Sequence, residues 1–294
     1  MTGDGRYIDP AIGALSGEGS HQQVKATEER LEQLAREAWT KVPSETTAGP
    51  TYYDRPVIKE PVWKPVVAGY FYTGGTAGAA STLAAAAQVF GRGRMRGLVK
   101  RARWIAATGT SVGTGLLVYD LGRKERFVNM LRVFRPTSPM SVGSWVLSAS
   151  TATSATAAVF DGGLLADLAG LAAGASGLPL SGYTAALVSN SAVPIWQAVR
   201  TSLPSLFVGS AMNGAASLLD MMDLTDEEAR VVKRFGVAGK VAELVAAEAV
   251  SKDADEVERV GKPLKEGFSG SLWRLAKIST GASLAISLLP GRGR

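Results

Sequence analysis

The 294-residue chain has no cysteine and a single histidine, His21. Iron–sulfur clusters are held by cysteine thiolates and haem by axial ligands such as His or Met, while zinc sites draw mainly on Cys and His. The composition therefore excludes a resident cluster and a bis-histidine haem, and no metal site is expected. His21 falls in a polar stretch and reads as a solvated histidine. The first residues also lack the apolar core of a secretory signal peptide.

Charge is missing too, but only locally. The formal net charge is +6, yet Val66–Phe90, Trp104–Tyr119, Pro136–Phe160, Leu168–Val199 and Thr201–Leu219 contain no Asp, Glu, Lys or Arg. A bilayer core of about 30 Å needs about 20 mostly apolar residues per helix. Five uncharged runs in one chain point to lipid rather than to a soluble core. The expected fold class is all-α: a polytopic membrane helix bundle of about six to eight transmembrane helices. Its divisions are a polar tail over 1–62 with an amphipathic helix at 21–41, a transmembrane bundle over 63–222, a charged amphipathic segment over 223–270, and a last helix with a short basic end over 271–294.

The spans themselves are rich in small residues: "GGTAGAAS" at 74–81, "TGTSVGTG" at 108–115 and "SASTATSATAA" at 148–158. In lipid, small faces let helix backbones approach closely, so these favour a tight bundle. "TGGTAGAA" is not a nucleotide loop, for it lacks the Lys-Ser/Thr ending and a preceding strand. Hydropathy starts the second span at about Ala102 and leaves Arg92 to Arg103 as a basic connection without an acid, the kind that marks a cytoplasmic side. It also divides the later part into a short segment at 164–176, containing Asp167, and a helix over about 177–199 interrupted by Pro194. Residues 230–250 either lie at the interface or form a polar-lined span.

"YDLGRKERFVNMLRVFRPTSPMSVGSW", at 119–145, carries five basic groups and one acid between Gly122 and Arg135. If the first two spans are antiparallel, the start of the first, the end of the second and the start of the third share one side of the membrane. That gathers Trp63, Tyr72, Tyr119, Asp120 and Arg123 near one interface. Ionisable residues at the hydrocarbon edge are candidate functional groups; Asp120 and Arg123, three apart, also form a natural ion pair that could simply end the helix. The functional alternative is a shallow pocket for an amphiphile such as a quinone. Its head needs hydrogen-bond donors, and its reduction needs protons that a carboxylate or tyrosine can relay.

"WKPVVAGYFYTGGTAGAAS" at 63–81, "DLGRKERFVNMLRVFRPTSPMSVGSWVL" at 120–147, "YTAALVSNSAVPIW" at 183–196 and "LPSLFVGSAMNGAASLL" at 203–219 resemble, in order and spacing, the NrfD/PsrC family of polysulfide reductase-type integral membrane subunits. The resemblance implies a membrane anchor without a redox cofactor of its own, which binds an exchangeable quinone. It implies docking of a ferredoxin-like iron–sulfur subunit and, through it, a molybdopterin catalytic subunit, in the inner membrane of a prokaryote. Carried over by position, Asp120 and Arg123 occupy the family's Asp-Leu-Gly-Arg motif, Tyr183 its Tyr-Thr motif, and Tyr72 lies near the first-helix pocket. With Tyr119 and Trp63 these are the candidate quinone-binding or proton-relay residues, and Lys124, Arg126, Arg132 and Arg135 the candidate docking residues. Lys124 stands where the family often has Pro, and the family commonly continues past the last helix seen here. The rival readings are a membrane transporter or channel and a purely structural anchor.

Overall fold

The structure is a computed structural model that describes residues 65–91, 93–121, 123–160 and 162–289. The expected amphipathic helix at 21–41, His21 and Trp63 lie outside the described residues. The helices all belong to one unit, Glu60–Arg294. They are α1 (Pro65–Phe90), α2 (Arg96–Asp120), α3 (Pro139–Val159), α4 (Leu164–Ser189), α5 (Pro194–Ala198), α6 (Leu203–Asp220), α7 (Asp226–Asp255), α8 (Glu258–Lys265) and α9 (Gly267–Leu288), with a 3₁₀ segment at Lys124–Leu131. The described residues contain no strand.

Small residues set the packing. A Cβ on Gly109 would come within 2.8 Å of the Ala77 Cβ, and one on Gly113 within 3.3 Å of the Tyr70 ring, so α1 and α2 run antiparallel with their backbones close. On another face of α1, a Cβ on Gly78 would lie 2.6 Å from the Gly177 carbonyl oxygen, and one on Gly174 would meet Ala85. That leaves α4 antiparallel to α1 with no space for a side chain between them. Helix α6 runs parallel to α1, with Gly75 against Ala211 and Gly214 against Thr76, and α7 returns along α6 through Gly209, Gly236 and Gly239. Lys277–Glu248 and Lys240–Ser287 place α9 antiparallel to α7.

The seven longer helices have 18 to 30 residues and measure about 27 to 45 Å at 1.5 Å per residue, the range that crosses a bilayer. Among the described residues only Leu164–Ser189 is also apolar enough to pass a simple hydropathy criterion for a span. The physical reason is composition. Gly, Ala, Ser and Thr replace Leu and Ile on the packed faces, and α7 carries charge. Three of those charges are paired with neighbouring helices: Asn213 Nδ2 donates to Glu243 at 3.0 Å, Lys240 Nζ to Ser287 at 2.6 Å, and Lys277 Nζ meets Glu248 at 2.8 Å. Residues 230–250 are thus part of one 30-residue helix packed against α6 and α9.

Two boundaries differ from the hydropathy pattern. The stretch 164–189 is one helix, not two; Pro179 lies within it, and Pro194 opens the separate α5. Asp167 interrupts the apolar pattern without interrupting the helix, because its carboxylate is paired with Arg103 at 3.1 Å. Helix α2 begins at Arg96, so Arg96 to Arg103 form its first two turns rather than a connection. Leu98, Ala102 and Ile105 at helical spacing bury that face.

Candidate functional site

The antiparallel packing brings the start of α1, the end of α2, the start of α3 and the end of α4 to one end of the bundle, the Pro65 end. Tyr183, two turns before the end of α4, donates its hydroxyl to the Pro139 carbonyl at 2.8 Å. Its phenol end packs against Gly143, where a Cβ would clash with Cζ and the hydroxyl. Tyr183 therefore locks α4 to the first turn of α3. Tyr70, on α1, is 2% exposed and packs with Leu147 and Leu180.

Tyr119 and Asp120 end α2 in exposed positions. Lys124 Nζ lies 4.8 Å from the centre of the Tyr119 ring, a cation–π contact. Asp120 and Arg123 are both exposed, and the structure has no ion pair between them. The connection that follows is tied down by Ser141, whose Oγ accepts from the Arg135 N–H at 3.0 Å, and by the edge contact of Phe134 on Trp145. Lys124, Arg126, Arg132 and Arg135 all project from it into exposed positions.

Tyr72 points elsewhere. At about 100° per residue, it faces α6, where a Cβ on Gly214 would lie 3.5 Å from its ring. There it lines a cleft of about 230 Å³ together with Thr76, Ser181 and Ser210. The cleft shares Ala68, Phe71 and Phe207 with an apolar opening of about 480 Å³ at the Pro65 end, lined also by Val188, Trp196 and Leu203. Thr76, one of the lining residues, keeps its Oγ1 buried toward Gly214 without a hydrogen-bond partner, and an unpartnered buried hydroxyl is costly enough to call for an explanation. Asp120, Arg123 and Tyr119 do not line this cleft. The structure thus separates the sequence candidates into a cleft (Tyr72), an interhelical lock (Tyr183) and an exposed rim (Tyr119, Asp120, Arg123).

Three well-placed residues escape the sequence reading. Tyr70 shares the i, i+4, i+8 row with Gly74 and Gly78, so its burial is signalled by that small-residue stripe. Arg103 is buried at the opposite end of the bundle, bonded to Gln88 at 2.9 Å and to Asp167 at 3.1 Å. Glu228 is 2% exposed. Its carboxylate accepts from Thr225 N–H of its own capping box and from Leu98 N–H in the first turn of α2, and it pairs with Arg101 at 3.4 Å. The capping-box pattern Thr225–Glu228 is legible in sequence; the second helix that it caps is not.

Among the described residues no group of three or more His, Cys, Asp or Glu is placed to hold a metal ion. A bundle of span-length helices, closely packed through glycine and alanine and opening at one end into an apolar cleft, is the form that an integral membrane helical protein takes. The chain belongs to the NrfD family: the family model described as polysulphide reductase, NrfD, matches residues 56–234. No curated protein matches it. Members of this family are integral membrane subunits of redox complexes and generally partner with iron–sulfur and molybdopterin subunits.

Proposed function

We propose that this chain is the multi-pass, quinone-interacting membrane subunit of a prokaryotic inner-membrane oxidoreductase, passing electrons between a docked iron–sulfur subunit and the quinone pool. The observation that carries the reading is the two-part cleft at the Pro65 end. Its opening is apolar, as an isoprenoid tail requires, and its inner end is lined by the hydroxyl-bearing Tyr72, Thr76, Ser181 and Ser210. The residues fit the group.

A bound quinone would supply two-electron, two-proton chemistry. The chain's part is to hold and protonate it. Tyr72 and Thr76 would be donors for a carbonyl oxygen, and Phe71 and Phe207, packed on each other with centroids 6.0 Å apart, would form an apolar wall beside the ring. Asp120 is exposed at the same end of the bundle, where it exchanges protons with water; its place in a relay toward the cleft is the part carried over from the Asp-Leu-Gly-Arg motif. Arg123, Lys124, Arg126, Arg132 and Arg135 form a basic rim suited to an acidic face of the iron–sulfur partner, which in turn meets the molybdopterin subunit.

A photoreactive azidoquinone tests the placement. Labelling of peptides from α1 and α6, lost on Tyr72→Phe with Thr76→Val, supports the cleft. Labelling confined to other helices, or unaffected by the double variant, contradicts it.

A further inference from the structure

The cleft does not end at α6. A second cavity of about 210 Å³ lies between α6, α7 and α9, and Phe207 and Ser210 line both it and the inner end of the cleft. To the Ser210 hydroxyl it adds Glu243, Lys277 and Thr280. At about 30 Å³ per molecule it has room for several waters, and these groups give them polar partners. A third cavity, of about 370 Å³, shares Trp273 and Lys277 with the second and is lined also by Ser251 and Asp255. Because α7 runs antiparallel to α6, its Asp255 end returns to the Pro65 end of the bundle. A file of polar side chains thus joins the inner end of the cleft to the Pro65 face along the seam of α7 and α9.

Glu243 is the acid of that file nearest the cleft. It stands in the middle of the 30-residue α7, half-buried, and beyond the residues that the family model matches. Gly209 brings it there, since a Cβ on Gly209 would lie 2.6 Å from the Glu243 nitrogen, and Ser210 is the next residue of α6. The carboxylate accepts from Asn213 Nδ2 at 3.0 Å. Among the described residues no cation pairs with it. Lys277, which α9 contributes to the same cavity, is bonded to Glu248 at 2.8 Å, Lys240 on α7 itself is bonded to Ser287 on α9, and α6 has no charge beside it. An ionisable side chain at such depth is a functional group by default. An amide donor, unlike an ammonium, serves the protonated and the ionised carboxyl alike.

We propose that Glu243 is the proton-relay residue for the inner end of the quinone cleft, exchanging protons with the head group through Ser210 and with water at the Pro65 face along the α7–α9 seam. This rests on the quinone reading. Two electrons from the iron–sulfur partner and two protons, one on each carbonyl oxygen, convert quinone to quinol. At the inner oxygen the Ser210 hydroxyl gives up its proton and takes another from the Glu243 carboxyl, so one O–H bond forms for each that breaks. Glu243 regains its proton from water in the seam, past Lys277 and Glu248. The outer oxygen is served from the open end, the side of Asp120. Quinol oxidation runs the same steps backwards.

The test compares Glu243→Gln and Glu243→Asp. Glutamine keeps the shape and the acceptor for Asn213 but carries no exchangeable acid. Binding of a fluorescent quinol-site inhibitor to the full chain should stay within about twofold of wild type in both variants. In the assembled complex, kcat should fall at least about tenfold in Glu243→Gln, with KM little changed, and be largely restored in Glu243→Asp. A third readout needs no turnover: dicyclohexylcarbodiimide, which attacks a carboxyl only while it holds a proton, should label Glu243 in the full chain, as read by peptide mass spectrometry. Unchanged kcat in Glu243→Gln with binding intact overturns the relay alone. So does equal loss in both variants with a lowered unfolding midpoint, which makes Glu243 structural, and so does absence of label at Glu243. Wild-type protein that binds no inhibitor defeats the quinone reading itself, and the relay with it.

Discussion

Asp120 is an acid at the C-terminus of a helix, where the macrodipole is negative. It is exposed, and no ion pair to Arg123 offsets its placement. If its role were only structural, neutralising it would be harmless. Asp120→Asn is therefore expected to leave the unfolding midpoint unchanged or to raise stability by about 0.5 kcal/mol, while slowing quinol turnover by an order of magnitude or more, as loss of a proton-transfer group does. Thermal unfolding and quinol oxidation by the assembled complex measure the two effects separately. Glu228 is the opposite case. It is buried and satisfies donors at the starts of two helices, so Glu228→Ala strands Leu98 N–H and Arg101. That costs about 2–3 kcal/mol, read as a lowered unfolding midpoint, with no direct effect on the cleft at the other end of the bundle.

The helices owe their association to glycine rather than to large apolar side chains. Gly78 is the sharpest test, because a Cβ there would lie 2.6 Å from the Gly177 carbonyl oxygen and 2.9 Å from the Ser181 nitrogen, both backbone atoms that cannot swing aside. Gly78→Val is expected to destabilise by about 1–3 kcal/mol or more and to loosen α1 from α4. Gly115 lies on the same small-residue pattern of α2, but a Cβ there meets nothing within 4 Å. Gly115→Ala should be neutral or stabilising by up to about 1 kcal/mol. The contrast, measured by unfolding in the same detergent, separates packing glycines from incidental ones.

The existence of most helices was legible because their interiors exclude charge, and the family resemblance rested on motifs that a physical reading alone would not have joined. What escaped was long-range partnering. Asp167 looked like a break because its partner, Arg103, lies 64 residues away; the same pairing hid the fact that α2 begins at Arg96. Tyr72 entered through the family resemblance, and that Tyr70 is the buried tyrosine depends on which side of α1 each neighbour occupies. Only the Tyr70–Gly74–Gly78 row hinted at the buried side. Tyr183 was found by its motif, but its bond to Pro139 and its seat on Gly143 depend on the crossing of α3 and α4.

At the scale of the whole molecule, the bundle has two dissimilar ends. The Pro65 end has an apolar cleft with hydroxyls at its inner end and an exposed basic connection beside it. The Phe90 end has the Arg103–Asp167 pair and the Glu228 double cap. Such polarity suits a membrane subunit that exchanges a lipid-soluble carrier and meets a partner at one face while being anchored at the other. Polar groups of α7 and α9 are joined to one another and to α6, which favours a packed bundle over an open channel. The central claim is that the Pro65 end binds a quinone. The direct measurement is titration of the purified chain in nanodiscs with a fluorescent quinol-site inhibitor, following the quenching of its emission. Saturable one-to-one quenching, weakened about tenfold by Tyr72→Phe with Thr76→Val in a protein whose unfolding midpoint is unchanged, is the predicted result. Absence of saturable quenching from a folded preparation that already carries its iron–sulfur partner would contradict it, and would leave the chain a structural anchor.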